Sequence, residues 1–495
     1  MKLAAVEGAF AYHTVQHNQS FRSMDCTSKL IQCTFEPKFT CGRSKAEAIV
    51  LNVLTPFAIS ELESDLQKAN FISIMTDASN HKDVKIFPLL VRYFNPTEGI
   101  QVKMLDLKSL PGETSETIAT FLSECLENTN LKEKTIALCA DNTNCNFGGV
   151  SRKGVNNVFT KLKGNLGHNL LGVGCSAHII HNTIQMAADV LPIDIEGIVS
   201  KIYSYFYVYT VRVESLKEFC EFVDQEYKQV LGYSKTRWLA LLPAIERLLT
   251  MFVPLKSYFE SQNKCPFLIK SFFENPLSEA WLYFLHNQAS TFHSAVQRVE
   301  GQTITVFEVI SVLNDLKANL VSKGEDCFIT SAVRSVLGKL EKEGLSSEIA
   351  KFKQYVHTFY QTAAEYLNKW IVPIESLRDY SWVTLKAGIP QWKDIQKTED
   401  FIREVAPSSI IDDTGLYDEY VYIKQYITPK ILEKWKLERT SPSDCWVEII
   451  SHFNVNNVPY SNFLKILEFL LCLPGTNAPT ERVFSYMNGL WTSDK

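Results

Sequence analysis

A change of periodicity near residue 190 is the feature that most constrains the fold of this chain. Before it, short apolar segments of β type alternate with helices, and after it nearly every apolar pattern has the period of an amphipathic helix. Five segments before the change have the length and composition of strands: residues 71–77, 85–94, 102–107, 135–141 and 170–175. The sequence therefore predicts an α/β part joined to a large helical part.

The order of these five segments predicts the topology of the sheet. Short links with turn residues such as Asn95 and Pro96 join the first three, which indicates an antiparallel meander. Helices precede the last two, and helical crossovers place such strands parallel to a neighbour. Three antiparallel strands followed by two parallel ones is the strand plan of the RNase H fold. Pro88 inside the second segment indicates an edge strand or a bulge.

These patterns divide the chain into four regions. We predict an N-terminal helical segment at 1–65, the first part of an RNase-H-like domain with a mixed five-stranded sheet at 66–190, a large all-α insertion at 191–460, and a C-terminal helical region at 461–495. In the first region, residues 46–66 form a helix that Pro56 breaks or kinks. In the insertion, 194–227 and 239–261 are each predicted as one helix.

Composition limits the environment and the partners of the protein. The 495 residues carry a formal net charge of −5 and no long basic run, so binding to a nucleic acid would have to depend on a local site. The 12 cysteines include no C-x-x-C pair, which predicts reduced thiols in a cytosolic or nuclear protein. We find no signal peptide and no apolar stretch of membrane-spanning length, so no membrane partner is expected.

Two aspartates follow the first and fourth predicted strands. If these strands are neighbours, Asp77 and Asp141 emerge close together at one edge of the sheet. Paired carboxylates repel each other unless a cation lies between them, and Mg²⁺ prefers such hard oxygen ligands. Glu481, at the start of the last helix, is the third candidate. For each residue alone, the structural alternative is a turn former or an acid placed favourably at a helix start.

Four motifs in the same order resemble those of hAT-superfamily DNA transposases. They are Thr76-Asp77, the run Asp141-Asn142-Thr143-Asn144-Cys145-Asn146, the run Cys175-Ser176-Ala177-His178 followed by Asn182, and the run from Ala478 to Ser485, which is similar to the family's S-x-x-S-E-R-x-F-S signature. Arg237-Trp238 also resembles an Arg-Trp step of the family. The resemblance covers nearly the whole chain from about residue 10, and it depends on the ordered set because no single motif is specific.

The resemblance implies a metal-dependent DNA transposase. Its RNase-H-like domain would be split by the helical insertion, and Asp77, Asp141 and Glu481 would hold Mg²⁺, for which Mn²⁺ substitutes. The partners implied are DNA, both transposon ends and target, and further copies of the chain bound through a C-terminal hAT dimerisation region. The implied location is the nucleus.

Further residues receive roles from the same resemblance. Trp238 would stack on an extruded base, and its alternative role is that of a buried core tryptophan at a helix start. Its neighbours Lys235 and Arg237 can contact phosphate or simply be solvated. Cys175 and His178 match a Cys-x-x-His motif beside the family's active site, and simple helix packing is their alternative role.

Zinc is the disfavoured interpretation of Cys175, His178 and His181. The three share one helical face, but the sequence offers no evident fourth ligand, and structural zinc sites usually have four.

Three functional hypotheses follow. The first is a hAT-type transposase that hydrolyses DNA phosphodiesters and transfers the resulting 3′-hydroxyl to a target. The second is a domesticated, catalytically inactive derivative that binds DNA, chromatin or proteins. In its favour, Ser79 stands where the family often has Trp, no BED-type zinc finger precedes the core, and the chain stops soon after Glu481. The third is a free-standing RNase-H-like nuclease, which the long helical insertion disfavours.

Overall fold

The computed structural model describes residues 2–81, 83–150, 152, 154–232 and 238–490. Contacts divide the chain into two compact units. The first unit comprises Met1–Gly174 and Asp379–Lys495, and the second comprises Cys175–Arg378. The first unit contains the described strands, and the second is helical. A helical part thus interrupts an α/β part in the chain, as the periodicity of the sequence predicts.

The chain begins with four helices, of which the first three share a small core of their own. They are α1 (Lys2–Gln16), α2 (Ser23–Thr34), α3 (Arg43–Ile49) and α4 (Thr55–Lys68). Buried Glu7 joins α1 to the start of α3, because it accepts from the Thr40 amide at 2.9 Å and pairs with Lys45 at 2.7 Å. The hydrogen bond and charge of Lys45 lower the pKa of Glu7 despite its burial.

Pro56 does not end the helix around it, so of the predicted break or kink the break is wrong. A π-helical turn, Val50–Leu54, joins α3 to α4, and Pro56 lies in the first turn of α4. Proline lacks the amide hydrogen and clashes with the carbonyl four residues earlier in a regular helix. The wider π turn just before Pro56 removes that regular geometry, so the helical path continues.

Six strands form one mixed sheet. They are β1 (Ile72–Thr76), β2 (Ser79–His81), β3 (Val84–Asn95), β4 (Gly99–Leu110), β5 (Thr135–Ala140) and β6 (Leu171–Gly174). β3 is antiparallel to β4 and to β1, while β5 is parallel to β1 and to β6. The predicted plan of antiparallel strands followed by two parallel ones is confirmed. The sixth strand is the short β2, which continues along β3 where β1 ends.

Pro88 lies in a central strand, so of the two predicted alternatives the edge strand is wrong, while the irregular pairing beside it agrees with the bulge. β3 pairs with β4 on one side and with β1 on the other. A register shift between Leu89 and Leu90 relieves the pairing next to the missing amide. The Thr76 hydroxyl donates to the Pro88 carbonyl at 2.9 Å, which fixes the end of β1 against β3.

Three helices lie between the strands of the first unit. They are α5 (Ser115–Asn128), α6 (Asn144–Phe147) and α7 (Val158–Leu166). Thr114, Thr143 and Asn157 cap their starts by accepting from backbone amides. The residues of β1 and β5 are all buried, which explains why these strands have continuous apolar sequences instead of alternating ones.

Ten helices are described in the second unit. They are α8 (Ser176–Ala188), α9 (Ile195–Tyr207), α10 (Thr210–Phe222), α11 (Leu242–Thr250), α12 (Phe252–Ser261), α13 (Phe267–Glu274), α14 (Ser278–Val299), α15 (Val306–Glu325), α16 (Ser331–Lys342) and α17 (Ser346–Ile371). The two long helices predicted at 194–227 and 239–261 are each divided. The second divides at Met251, because Pro254 cannot continue a regular helix through the carbonyl of Thr250.

Six helices return the chain to the first unit. They are α18 (Trp392–Val405), α19 (Asp413–Tyr426), α20 (Pro429–Glu438), α21 (Pro442–Val455), α22 (Ser461–Leu471) and α23 (Ala478–Leu490). The predicted insertion at 191–460 is therefore too long at its C-terminal end. Residues 379–460 belong with the sheet, as the contact of the Ser443 hydroxyl with the Ile100 amide at 2.8 Å illustrates. Amphipathic periodicity shows that one face of a helix is buried, but it does not show which other element covers that face.

Membrane-spanning character is weak in the part of the chain that the structure describes. There, no single helix is long and apolar enough to cross a bilayer. One pair of consecutive helical segments, Trp238–Thr250 and Phe252–Ser261, meets the length and composition test only when taken together, and the two are bent by 72°.

Candidate metal site at the carboxyl end of the sheet

The register of two parallel strands aligns the first two acidic candidates. Met75 of β1 is aligned with Cys139 of β5, and the same register carried two residues further aligns Asp77 with Asp141. Adjacent strands lie about 4.8 Å apart, so both carboxylates emerge from neighbouring positions at one edge of the sheet. The sequence prediction that these strands are neighbours is confirmed.

Asp77 lies in a gap of the sheet. β1 ends at Thr76 and β2 begins at Ser79, while β3 continues beside both. The Asp77 carboxylate accepts from the Ala78 amide at 2.9 Å, which stabilises the turn between the two strands. Asp77 is half-buried. The interruption of the strand places a polar side chain at the carboxyl end of β1, where a continuous strand would have buried it.

Asp141 is oriented by the loop that follows it. The Thr143 hydroxyl donates to its Oδ1 at 2.8 Å, and the Asn146 side-chain amide donates to the same oxygen at 2.5 Å. Thr143 also caps α6 by accepting from the Asn146 amide. The cap and the orientation of Asp141 thus depend on the same short segment. In the sequence, Thr143 and Asn146 stand out only as members of the run from Asp141 to Asn146.

The end of β6 lies against the same loop. A Cβ atom on Gly174 would overlap the side-chain oxygen of Asn142, which directly follows Asp141. Only glycine leaves the space that Asn142 occupies. No local sequence pattern indicates this role, because a glycine at a strand end is common and the close approach is visible only in three dimensions.

Glu481 is brought to the same end of the sheet by the start of α23. Asn477 directly precedes this helix, is completely buried, and donates from Nδ2 to the Thr76 carbonyl at 2.8 Å. Thr480 donates from its hydroxyl to Asn477 Oδ1 at 2.8 Å. Glu481 is the fourth residue of α23 and is half-buried. A strand end and a helix start that are 401 residues apart in sequence are therefore joined by one amide side chain.

The segment before α23 follows β1 along its length. Glu468 accepts from Asn70, just before β1, and Ser73 donates to Cys472 at 3.5 Å in the middle of β1. Asn477 then reaches the carbonyl of Thr76, the last residue of β1. This succession of contacts explains why α23 begins at the carboxyl end of β1 and not elsewhere in the first unit.

The donor chemistry of the three acids suits a hard divalent cation. All three offer carboxylate oxygens, which Mg²⁺ and Mn²⁺ prefer. Among the described residues of the first unit, the three carboxylates do not form a group in which every ligand atom lies within 4.8 Å of the others. Carboxylates that are brought together without a cation repel each other. The residue types therefore fit the metal, and its binding would draw the acids together.

Cys175 and His178 lie at the start of α8 in the second unit. Cys175 is buried and immediately precedes the helix, and its Sγ and a ring nitrogen of His178 lie within 4.8 Å of each other. The pair could offer two ligands to a metal ion. His181 is nearly buried and does not complete a group with these two at that distance. A spacing of three residues along the helix thus does not bring the ligand atoms of Cys175, His178 and His181 together at one site.

Trp238 lines a cavity of about 360 Å³ in the second unit, and it is only 4% exposed. Asp189, Asp194 and Glu196 line the same cavity. Burial and the neighbouring charge of Asp194 raise the pKa of Asp189. An acidic lining disfavours the binding of phosphate in this cavity. The burial of Trp238 supports a packing role in the core of the second unit. Stacking of Trp238 on an extruded base stays a prediction, while Lys235 and Arg237 lie outside the described residues.

Comparison with known proteins adds no family assignment. No protein-family model matches this chain, and no curated protein matches it. The functional argument therefore depends on the arrangement of the residues themselves and on the sequence motifs.

Proposed function

We propose that this protein is a metal-dependent DNA phosphoryl transferase of the hAT transposase type. The observation that supports the proposal most directly is the parallel register of β1 and β5, which aligns Met75 with Cys139 and, carried two residues further, Asp77 with Asp141. The order of the strands, with β3 between β4 and β1 and with β5 and β6 parallel beyond β1, also supports the proposal, because an RNase-H-like sheet is expected to have this order. Glu481 is supplied to the same sheet edge from the last helix of the described chain.

The chain's own residues would bind and orient the reacting groups. Asp77, Asp141 and Glu481 would hold Mg²⁺ through their carboxylate oxygens. Thr143 and Asn146 would keep the Asp141 carboxylate in one orientation. The bound metal would help to activate the attacking hydroxyl and stabilise the leaving 3′-oxygen. Because catalysis at phosphorus is mainly positioning and charge neutralisation, a carboxylate site of this kind suits the class of reaction.

The substrate of the proposed reaction is DNA, first at transposon ends and then at a target. A catalytically inactive derivative is the second candidate function. It is favoured by the acidic surroundings of buried Trp238, which suit packing better than contact with DNA. The two candidates differ in whether the carboxylate site binds a divalent cation, and this difference can be measured without knowing the DNA sequence that is recognised.

Calorimetric titration with Mn²⁺ tests the proposal. We expect the parent protein to bind Mn²⁺, and Asp141→Asn to weaken the affinity at least tenfold, about 1.4 kcal/mol. Asp315→Asn is a matched control, because it removes one exposed carboxylate from α15, in the second unit. This control should bind Mn²⁺ as the parent does. If the parent does not bind Mn²⁺, or if both variants lose affinity equally, the proposal fails.

Cleavage and strand transfer on DNA form the second step of the test. Protein that binds Mn²⁺ should nick or join DNA in the presence of Mg²⁺, and Asp77→Asn, Asp141→Asn and Glu481→Gln should each abolish the reaction. Cation binding without any reaction on DNA would favour the inactive derivative. Cleavage of any DNA without strand transfer would favour a simple nuclease.

A further inference from the structure

We propose that Asn477 is a positioning residue that sets the approach of Glu481 to Asp77. This inference rests on the proposed carboxylate site and adds a residue that does not itself bind the metal. The side chain of Asn477 joins Thr76 and Thr480, the residues that directly precede the two acids in sequence. One amide therefore links the backbone that carries Asp77 to the helical turn that carries Glu481.

The contacts of Asn477 use both halves of its amide. Nδ2 donates to the Thr76 carbonyl at 2.8 Å, and Oδ1 accepts from the Thr480 hydroxyl at 2.8 Å. The Thr480 amide donates to the Asn477 carbonyl at 3.0 Å, which begins the first turn of α23. Asn477 and Thr480 are completely buried, and Thr76 is 2% exposed. Water is thus excluded from these contacts, and neither hydrogen bond can easily be replaced by solvent.

The chemistry of the site explains why an amide stands there. A buried carbonyl needs a donor, and a buried hydroxyl needs an acceptor. Asparagine supplies both without a charge, whereas aspartate would direct a carboxylate oxygen at the Thr76 carbonyl. Serine can still accept at a helix start, but its side chain is too short to reach the Thr76 carbonyl as well. Asparagine is therefore needed at position 477 to link the two segments, whereas capping the helix alone would not require it.

The consequence for the metal site is geometric. Glu481 follows Thr480 on the same helical turn, so a shift at the start of α23 moves the Glu481 carboxylate with it. Residues that orient metal ligands commonly alter affinity about 10- to 100-fold when they are replaced. Loss of the Asn477 link should therefore weaken cation binding while all three carboxylates stay in the chain.

The test compares Asn477→Ser with Asn462→Ser in the full chain. Asn462 is a matched control because its amide also joins two segments, accepting from the Asp412 amide at 3.0 Å and donating to Glu419 at 3.2 Å. It lies at the first turn of α22, whereas the Asn477 segment follows the last turn. We would measure Mn²⁺ affinity by calorimetry, the spectrum of bound Mn²⁺ by electron paramagnetic resonance, and stability by urea unfolding.

Asn477→Ser should weaken Mn²⁺ binding at least tenfold and change the spectrum of the bound ion. Asn462→Ser should leave the Mn²⁺ affinity and the spectrum equal to those of the parent within error. This should hold even if its urea midpoint falls as far as that of Asn477→Ser. A second variant, Thr480→Val, removes only the hydroxyl contact with Asn477 and should weaken binding less than Asn477→Ser.

Two other outcomes are distinguishable from each other. If the parent binds Mn²⁺ and Asn477→Ser binds it equally well with an unchanged spectrum, Asn477 has only a structural role and this inference is overturned, while the carboxylate site stands. If the parent itself does not bind Mn²⁺, the proposed function and the role of Asn477 fail together.

Discussion

Glu468 accepts two hydrogen bonds from Asn70, one from the backbone amide at 2.8 Å and one from the side-chain amide at 2.7 Å. The carboxyl is only 2% exposed, and burial raises its pKa to about 7. Asn70, Lys134 and Lys465 oppose this rise but do not cancel it. A buried acid that helps to join α22 to the start of β1 therefore changes its protonation near neutral pH.

The stability of the protein should depend on pH through Glu468. Its pKa in the folded state lies above the ordinary value of 4.5, so folding is favoured by the bound proton. This contribution is complete below pH 4.5 and is lost as the pH rises through about 7. The largest change in the free energy of unfolding from this source is on the order of 3 kcal/mol. Urea unfolding of the parent and of Glu468→Gln between pH 5 and 8 should show it.

Glu468→Gln keeps an oxygen that can accept from Asn70 and removes the titration. The variant should therefore become more stable relative to the parent as the pH rises from 5 to 8. Glu127→Gln, at an exposed position on α5, is the control and should give a difference that does not depend on pH. A constant difference between Glu468→Gln and the parent over this range would contradict the assignment.

Gly174→Ala should destabilise the first unit. The added methyl group would overlap the side chain of Asn142, so this side chain must move. We expect a loss of about 1–3 kcal/mol in the free energy of unfolding, as for other overpacked positions. Affinity for Mn²⁺ should fall as well, because Asp141 directly precedes Asn142. Both quantities can be measured by urea unfolding and calorimetry.

Gly164→Ala is the control for this prediction. A Cβ atom on Gly164, within α7, meets nothing within 4 Å. Replacement of a glycine inside a helix by alanine commonly stabilises by about 0.5–1 kcal/mol. Equal stability of Gly174→Ala and the parent would show that Asn142 can move without cost.

The positions of Asp77 and Asp141 could be predicted from the sequence because they depend on strand order alone. Each acid directly follows an apolar strand, and the links between the strands determine which strands are neighbours. A helix start is marked locally where a capping residue is present: Thr305 and Glu308 form a capping box at the start of α15.

Contacts between distant segments could not be predicted in this way. Asn477 reaches Thr76 across 401 positions, and no local pattern distinguishes this asparagine from an ordinary helix cap. The end of the insertion was misplaced for the same physical reason. Helices α18 to α22 have apolar faces like those of the second unit, and the partner of an apolar face is a property of the fold.

Two exposed thiols on α2 should react first with a thiol reagent. Cys26 and Cys33 are exposed, whereas Cys139, Cys175 and Cys472 are buried. Burial also raises the pKa of Cys472 to about 12, so its thiolate is scarce at neutral pH. Native protein at pH 8 should therefore show a fast phase that Cys26→Ser and Cys33→Ser together abolish. Cys472→Ser should leave the fast phase unchanged, and a fast phase that persists in the double variant would contradict the burial pattern.

Trp238→Ala should lower the free energy of unfolding of the second unit and have little effect on the affinity for DNA. Trp238 is 4% exposed, and its segment Trp238–Leu241 packs against α8, α11 and α14. Removal of a buried tryptophan commonly costs about 3–5 kcal/mol. The acidic lining formed by Asp189, Asp194 and Glu196 gives phosphate no favourable partner there.

Trp238→Phe separates packing from contact with DNA, since phenylalanine preserves much of the buried volume. We expect its urea midpoint to lie between those of the parent and Trp238→Ala, and its affinity for a DNA hairpin to stay within twofold of the parent. Trp392→Phe, at a half-buried position in the first unit, controls for the loss of one indole. A tenfold fall in hairpin affinity for Trp238→Phe alone would instead support stacking on an extruded base, because base–aromatic stacking contributes about 1–3 kcal/mol.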